Sequence, residues 1–225
     1  MYIVGILGLI GSGKDTIGNY LVGNYGFKQD SFAGPLKDAV AAIFGWDRQL
    51  IEGKTEESRK WRDEPDLWWE EELEWQNQAF ACYFPRFTPR LCLQLFGTDI
   101  LRNKFHNDIW TLSLKNRLLK SGQNTVITDC RFPNECEVIR QLGGKIIRVE
   151  RGIAPHWVQV IKSEIKYNPN WQEVCMEVAL KHGVHASEWM SFSYREDICF
   201  ENDNSIASLH AKVDHFFNFK AMAVQ

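Results

Sequence analysis

Apolar and polar positions follow two different periods along the chain. Residues 2–7 form a short apolar run rich in β-branched side chains, which predicts a buried strand. Residues 16–25 instead place apolar side chains at a spacing of three and four, which predicts a helix. Residues 27–32 favour a short second strand, and Pro35 stands at the expected first position of the next helix.

The same alternation returns in the second half of the chain. Residues 125–128 predict a buried strand, 133–142 a helix that ends at two glycines, and 145–150 another strand. Two amphipathic helices are expected before them, over 91–101 and 109–119. Strands that alternate with helices predict an α/β fold, in which a parallel sheet is covered on both faces.

Two stretches interrupt this pattern. Residues 45–89 hold five of the nine tryptophans among many acidic residues, and we expect a helical insertion there. Residues 151–194 contain glycine, prolines and tryptophans without a consistent period, which predicts a mobile, lid-like excursion. A strand over 197–200, a polar turn over 201–204 and a helix from Ser205 complete the chain.

Composition narrows the class of protein. A chain of 225 residues with 44% hydrophobic content predicts one domain over residues 1–225, with the two interruptions as additions to it. The net charge of −3 argues against a partner that is nucleic acid. No apolar segment suits a membrane, and six cysteines without a Cys-x-x-Cys pair suggest reduced core thiols, so a cytoplasmic protein is expected.

The loop after the first strand carries the strongest chemical signal. Gly8, Gly13 and Lys14 match the pattern Gly-x-x-x-x-Gly-Lys between a predicted strand and a predicted helix. Glycines at 8, 11 and 13 let backbone N–H groups and the helix N-terminus face an anion, and Lys14 adds a full positive charge. We therefore predict a binding site for the phosphates of a nucleoside triphosphate, with Lys14 as a catalytic residue.

The loop departs from the commonest pattern immediately after Lys14. Asp15 stands where Ser or Thr is usual, and Thr16 follows it. The ending Gly-Lys-x-Thr is typical of nucleoside monophosphate kinases. Thr16 can bind a phosphate, and Asp15 can hold Mg²⁺ through water or cap the helix, so both residues are the candidate metal site.

A kinase that acts on a small phosphate needs further cations for its second anionic reactant. Asp129 and Arg131 directly follow a predicted strand, where α/β sheets place their ligands, and we predict that both are catalytic. Lys37 lies in the first turn of a helix, where either an approaching phosphate or a solvated pair with Asp38 would explain a cation. Taken one by one, Arg59, Arg90 and Arg102 are typical of solvated surface charges.

Four segments in order carry a resemblance to a known family. They are residues 11–16, 33–38, 94–99 and 129–131, which read Gly-Ser-Gly-Lys-Asp-Thr, Ala-Gly-Pro-Leu-Lys-Asp, Gln-Leu-Phe-Gly-Thr-Asp and Asp-Cys-Arg. With these segments the chain resembles the deoxynucleoside monophosphate kinases of tailed bacteriophages, within the P-loop kinases. The resemblance implies a three-layer P-loop kinase with a parallel sheet, a helical acceptor-binding insertion and a lid.

The resemblance also implies an activity and a set of site residues. The enzyme would use ATP and Mg²⁺ to phosphorylate a deoxynucleoside 5′-monophosphate (dNMP) for DNA precursor synthesis, so its partners are small nucleotides, and a homodimer is one option for its oligomeric state. The implied ATP-binding residues are Ile10, Gly11, Ser12, Gly13, Lys14, Asp15, Thr16 and Asn202. The implied dNMP-binding residues are Leu36, Lys37, Arg59, Arg90, Gly97, Thr98, Trp110, Asp129 and Arg131.

Two other functions remain open from the sequence. One is a P-loop kinase for another small phosphorylated substrate, of the phosphomevalonate or dephospho-coenzyme A type. The other is a non-catalytic switch that binds a nucleoside triphosphate. A GTPase is disfavoured because the guanine-reading Asn-Lys-x-Asp is missing, and residues 103–106 read Asn-Lys-Phe-His instead.

Overall fold

Five short strands form one parallel sheet in the structure, which is a computed structural model describing residues 1–184 and 186–217. The strands are β1 Ile3–Leu7, β2 Lys28–Asp30, β3 Thr125–Ile127, β4 Lys145–Glu150 and β5 Ile198–Glu201. Their order across the sheet is β2-β3-β1-β4-β5, with β1 at the centre. The predicted parallel α/β fold is therefore confirmed.

Strand β1 is buried along its whole length because it pairs on both sides. Val4 pairs with Val126 of β3 and with Lys145 of β4, and every residue of β1 is buried. Strands that are covered on both faces read as continuous apolar runs, which is why this segment was recognisable in the sequence. All five strands are parallel, so their carboxyl ends lie at one edge of the sheet.

The chain forms two compact units, and the sheet belongs to the first. This unit combines Met1–Phe32 with Ser113–Gln225, and the second unit is Ala33–Leu112. The helices that cover the sheet are α1 Lys14–Tyr25, α8 Pro133–Gln141 and α12 Ile206–Phe217. Helix α7 Ile109–Ser121 begins in the second unit and ends in the first. Val4 and Ile6 share a buried cluster with residues of α1 and α12, whereas Gly5 of the same strand approaches Ile139 of α8. Helices thus cover both faces.

The second unit is helical and has an aromatic core. Its helices are α2 Gly34–Phe44, α3 Arg48–Glu52, α4 Glu56–Asp63, α5 Leu67–Glu72 and α6 Pro89–Gln94, with a short 3-10 helix at Trp75–Asn77. Trp46 and Trp75 are buried in this core beside Phe87, while Trp68 remains exposed. The tryptophans near residues 45–89 therefore serve mainly to pack this unit.

One predicted helix changes its winding. The sequence predicts a single amphipathic helix over residues 91–101, but α6 continues into a π-helix at Leu95–Phe105. The N–H of His106 bonds to the carbonyl of Leu101, five residues earlier. A π-helix is rare and often occurs at functional sites, and apolar spacing does not distinguish it from an α-helix.

Residues 151–194 are largely helical, although their sequence shows no consistent period. They contain α9 His156–Tyr167, α10 Trp171–Lys181 and the short α11 Ala186–Trp189, followed by a 3-10 helix at Met190–Ser193. Ile161, Cys175, Ala179 and Trp189 form a separate buried cluster. The helical period was present, but the prolines and glycines between these short helices masked it. The mobility of the segment stays a prediction.

The cysteines can be compared with the expectation of reduced core thiols. Among the described residues, Cys92, Cys130, Cys136 and Cys175 are buried and free, as predicted, whereas Cys82 and Cys199 are free but exposed. Burial raises the pKa of Cys92 and of Cys136 to about 12.

Within the described part of the chain, every helix is too short or too polar to cross a membrane.

Gly18 in α1 provides a test of how closely the helix packs against the sheet. A Cβ at Gly18 would lie 2.6 Å from Cγ2 of Thr128, whereas nothing lies within 4 Å of a Cβ at Gly23 in the same helix. Gly18→Ala should lower the free energy of unfolding by about 1–3 kcal/mol through overpacking. Gly23→Ala should raise it by about 0.5–1 kcal/mol, because alanine favours a helix. Urea unfolding of both variants checks the pair, and equal effects would contradict the packing.

Candidate functional site

The loop between β1 and α1 is held in a shape that only glycine permits. Gly8 has a φ of 150°, and a Cβ there would lie 2.4 Å from the carbonyl oxygen of Val149 and 2.5 Å from Oγ of Ser12. Gly13 has a φ of 108°, and a Cβ there would lie 2.4 Å from Nδ2 of Asn202. The loop is therefore packed against Val149 of β4 and against Asn202, which follows β5.

Asn202 contacts the loop directly. Its Nδ2 donates to the carbonyl oxygen of Ser12 at 2.8 Å, and its own N–H donates to the carbonyl of Glu150 at 2.7 Å. Asn202 therefore ties the loop to the carboxyl ends of β4 and β5. The structure shows a role in holding the loop, while its predicted contact with ATP stays a prediction.

Lys14 is the first residue of α1 and bends back over the loop. Its Nζ donates to the carbonyl oxygens of Gly8 and Leu9, both at 2.8 Å. Burial lowers the pKa of Lys14 below its ordinary value, and the positive charge of Arg131 adds to this effect. An anion at the loop would offset both effects, because it would supply the negative charge that this ammonium group needs.

Asp15 and Thr16 occupy the first turn of α1, as predicted. Asp15 is exposed and Thr16 is partly buried. A carboxylate in the first turn interacts favourably with the positive end of the helix dipole, so Asp15 also stabilises the helix. The described residues contain no group of three or more His, Cys, Asp or Glu that could hold a metal by themselves. A metal at Asp15 and Thr16 would need phosphate oxygens or water as further ligands.

The strand β3 places two candidate residues at the same edge of the sheet. The carboxylate of Asp129 accepts a hydrogen bond from the backbone N–H of Phe32 at 3.0 Å, which joins the ends of β3 and β2. The backbone N–H of Arg131 donates to Glu135 at 2.8 Å, and Glu135 is a buried carboxylate in the first turn of α8. Both side chains thus stand on a backbone that is fixed by hydrogen bonds.

Arg131 also has an acidic partner that the sequence analysis missed. Its Nη1 donates to Oε1 of Glu188 at 2.7 Å and to Oγ of Ser187 at 3.3 Å. Glu188 lies in the short helix α11 of the excursion, and no motif distinguishes it from other surface acids in the sequence. Only the folded chain brings this carboxylate to Lys14 and Arg131.

Two cavities border the loop. The smaller has a volume of about 20 Å³ and is lined by Gly8, Ile10, Lys14, Asp129, Cys130, Arg131, Ser187, Glu188 and Ser191. It has room for about one water molecule, and hence none for a phosphate group. The larger has a volume of about 360 Å³ and lies on the side of β4, with Ile10, Trp157, Phe192 and the buried Arg148 among its lining residues. Its volume falls in the range of small-ligand pockets, roughly 300–1,000 Å³.

The second unit brings three predicted acceptor residues together. The indole Nε1 of Trp110 donates to the carbonyl oxygen of Gly97 at 2.9 Å. A Cβ at Gly97 would lie 2.7 Å from Cδ2 of Leu36, so only glycine fits there without movement. Thr98 follows Gly97 and is exposed. Leu36, Gly97 and Trp110 therefore form one contact group.

The predicted acceptor cations of this unit all have partners within the unit. Lys37 pairs with Glu52 at 2.8 Å, and the guanidinium of Arg90 pairs with Asp63. Arg59 donates to the backbone carbonyls of Gly53 and Lys54, at 3.2 and 3.3 Å. Binding an acceptor phosphate through these side chains would mean sharing or replacing these contacts. Their role as acceptor-binding residues stays a prediction.

Comparison with known proteins identifies the family. Residues 73–156 match the family model described as deoxynucleotide monophosphate kinase. The "Putative deoxynucleotide monophosphate kinase" of Acanthamoeba polyphaga mimivirus is 35% identical over 167 residues, which are 68% of this chain and 77% of that protein. The chain belongs to the deoxynucleotide monophosphate kinase family. The resemblance seen in the four sequence segments is thereby confirmed.

Other relatives of this deoxynucleotide monophosphate kinase family member are more distant. The deoxynucleoside-5′-monophosphate kinase of Escherichia phage T5 is 27% identical over 179 residues, which are 62% of this chain and 72% of that protein. Among solved structures, the dephospho-CoA kinase from Campylobacter jejuni has a TM-score of 0.42 at 15% identity, over 96% of this chain and 95% of that one. At this TM-score the likeness carries no argument about substrate.

Glu188 offers a test of how the kinase site responds to an anion. Glu188→Gln removes the carboxylate that pairs with Arg131 and would repel phosphate. Inorganic pyrophosphate should then bind about three- to tenfold more tightly, as measured by titration calorimetry. Glu177→Gln is the matched control, because Glu177 is exposed in α10 of the same excursion and should change nothing. Weaker binding by Glu188→Gln would mean instead that Glu188 holds Arg131 in its binding position.

Proposed function

We propose that this chain transfers the γ-phosphoryl group of ATP to a deoxynucleoside 5′-monophosphate, with ADP and a deoxynucleoside diphosphate as products. The proposal rests on the glycine loop, whose carbonyl groups bind the Nζ of Lys14, in a chain of the deoxynucleotide monophosphate kinase family. The loop supports the donor half of the reaction, and the family supports the acceptor.

The donor phosphates are expected at the N-terminus of α1. Residues 10–13 and the first turn of the helix would provide backbone N–H groups, while Lys14 would exchange its two carbonyl partners for phosphate oxygens. The remainder of the donor would have room in the cavity of about 360 Å³ beside β4. Ile10 is 71% exposed at the tip of the loop and would lie against the nucleotide.

The side chains at the start of α1 supply only part of the oxygen ligands that a magnesium ion needs. Asp15 and Thr16 would hold the ion together with phosphate oxygens and water, since the described residues provide no larger ligand cluster. When bound, the ion would neutralise charge on the donor phosphates.

The transfer needs no protein nucleophile. An oxygen of the acceptor phosphate attacks the γ-phosphorus, the bond from this phosphorus to the bridging oxygen of the β-phosphate breaks, and ADP leaves. The work of the protein is to position the groups and to stabilise negative charge. In the first unit, Lys14 and Arg131 would stabilise this charge, and release of Arg131 from Glu188 would precede the transfer.

In the second unit the proposal assigns the acceptor nucleoside to the contact group of Leu36, Gly97 and Trp110. Trp110 is partly buried and fixed by its hydrogen bond to Gly97, so its ring has a defined orientation. An aromatic ring of defined orientation can stack on a base. The alternative kinase substrates named from the sequence gain no support from the family assignment.

An assay with four acceptors tests the proposal. The wild-type protein with ATP and Mg²⁺ should form a diphosphate from at least one of the four common deoxynucleoside monophosphates. Lys14→Ala should lower kcat by about 100- to 1,000-fold, because it removes a cation that stabilises the transition state. Lys120→Ala, at an exposed position of α7, is the control and should remain active. If the wild type forms no product from any of the four, the acceptor assignment is wrong.

A further inference from the structure

Arg62 stands apart from the other arginines of the second unit. Arg48 pairs with Asp38 and Glu52, Arg86 with Glu70, and Arg90 with Asp63, while Arg59 donates to backbone carbonyls and Arg102 also has a partner. In the described part of the chain, Arg62 makes no hydrogen bond and no ion pair, and its Nε is buried without an acceptor. It is thus a guanidinium group whose donors bond to no described residue.

The surroundings of Arg62 hold the group in place. The guanidinium lies against the backbone of Gly53, where a Cβ would be only 2.1 Å from Cζ and from Nη2. Gly53 has a φ of 69° and ends helix α3, while Arg62 lies near the end of α4. Two adjoining helices therefore fix the position of an arginine that has no acceptor among the described residues.

The electrostatic environment of Arg62 is unfavourable without an anion. Burial lowers the pKa of Arg62, and the nearby charges of Arg90 and Arg59 lower it further, against the opposing effect of Asp63 and Glu52. A partly buried cation beside like charges costs free energy unless a negative group compensates for it. The pKa is lowered despite the two carboxylates, so their charge does not compensate.

The nearby carboxylates are already engaged with other cations. Asp63 pairs with Arg90, and the two oxygens of Glu52 pair with Lys37 and Arg48, at 2.8 and 2.6 Å. Neither carboxylate bonds to Arg62. The helices α2 to α4 and the start of α6 thus carry a connected set of charges in which the cations outnumber the carboxylates. The cations are Lys37, Arg48, Arg59, Arg62 and Arg90, and the carboxylates are Asp38, Glu52 and Asp63.

We infer that Arg62 binds the phosphate group of the acceptor nucleotide and is the principal anion-binding side chain of the second unit. The inference rests on the proposed function, which provides a phosphate monoester as the anion. A planar guanidinium can donate two parallel hydrogen bonds to phosphate oxygens, and one with no protein acceptor need not break an ion pair to do so. Arg59 and Arg90, which the sequence pointed to, then act as neighbours that add positive charge.

The variant Arg62→Gln tests this inference. Its KM for the deoxynucleoside monophosphate should rise about 10- to 100-fold, since a charged hydrogen-bond partner of the phosphate is lost. Its KM for ATP should stay unchanged, because Arg62 is assigned to the acceptor alone. Arg86→Gln is the matched control: Arg86 belongs to the same unit and pairs with Glu70, outside the connected set of charges. This control should leave both KM values unchanged.

Calorimetric binding separates this inference from the proposed function. The deoxynucleoside monophosphate and inorganic phosphate are each titrated into the wild-type protein and into Arg62→Gln without ATP. Loss of affinity for both anions identifies Arg62 as a phosphate-binding residue, even if the wild type forms no product and the proposed function fails. Unchanged affinity of Arg62→Gln for the monophosphate overturns the inference, even if the kinase assay succeeds.

Thermal unfolding excludes a merely structural role. Arg62→Gln should not lower Tm in the absence of ligands, because the replaced cation has no ion-pair partner to lose in the part of the chain that the structure describes. The monophosphate should raise the Tm of the wild type more than that of the variant. If Arg62→Gln does not fold, Arg62→Lys keeps the charge and loses the planar pair of donors, so its affinity for the monophosphate should fall less than 10-fold but measurably. Wild-type affinity in Arg62→Lys overturns the inference as well.

Discussion

The close packing under the glycine loop is the constraint on which the rest of the first unit depends. Gly8 leaves no room for a side chain between the carbonyl of Val149 and the hydroxyl of Ser12, and Gly13 leaves none beside Asn202. Because β1 is central and its neighbours run parallel to it, the segments that follow β1, β3, β4 and β5 meet at one edge. Lys14, Asp129, Arg131 and Asn202 come from three of these segments, so the sheet positions every candidate residue of this unit.

Most of the cations at the candidate sites are paired with carboxylates of the protein. Arg131 pairs with Glu188, Lys37 with Glu52 and Arg90 with Asp63, while Lys14 bonds to carbonyls of its own loop. An enzyme that handles several phosphate groups needs many cations, and internal carboxylates limit their mutual repulsion until the substrates arrive. Such pairs are exchangeable because most of them are partly exposed and individually weak. Arg62 differs from these cations, because it pairs with no carboxylate of the described residues.

Local patterns could predict the elements whose environment is uniform. The run of residues 2–7 and the strand 145–150 were found almost to the residue, because buried parallel strands are rich in apolar, β-branched residues. The helices within residues 151–194 were not predicted because they are short and separated by breakers, and their small core includes residues as far apart as Ile161 and Trp189. The π-helix at Leu95–Phe105 was missed because its apolar spacing resembles that of an α-helix.

The sequence by itself determined the glycine loop, the parallel sheet and the family, since these depend on residue types at short, ordered spacings. It also indicated Asp129 and Arg131, because the end of a strand in an α/β sheet is a predictable position. Only the tertiary structure decided how the charges are paired. Glu188 pairs with Arg131 across 57 positions of the chain, and Arg62 lies against Gly53 with no acceptor in residues 1–184 and 186–217. A sequence lists the charged groups, but their pairing depends on distances of a few ångströms that only the folded chain defines.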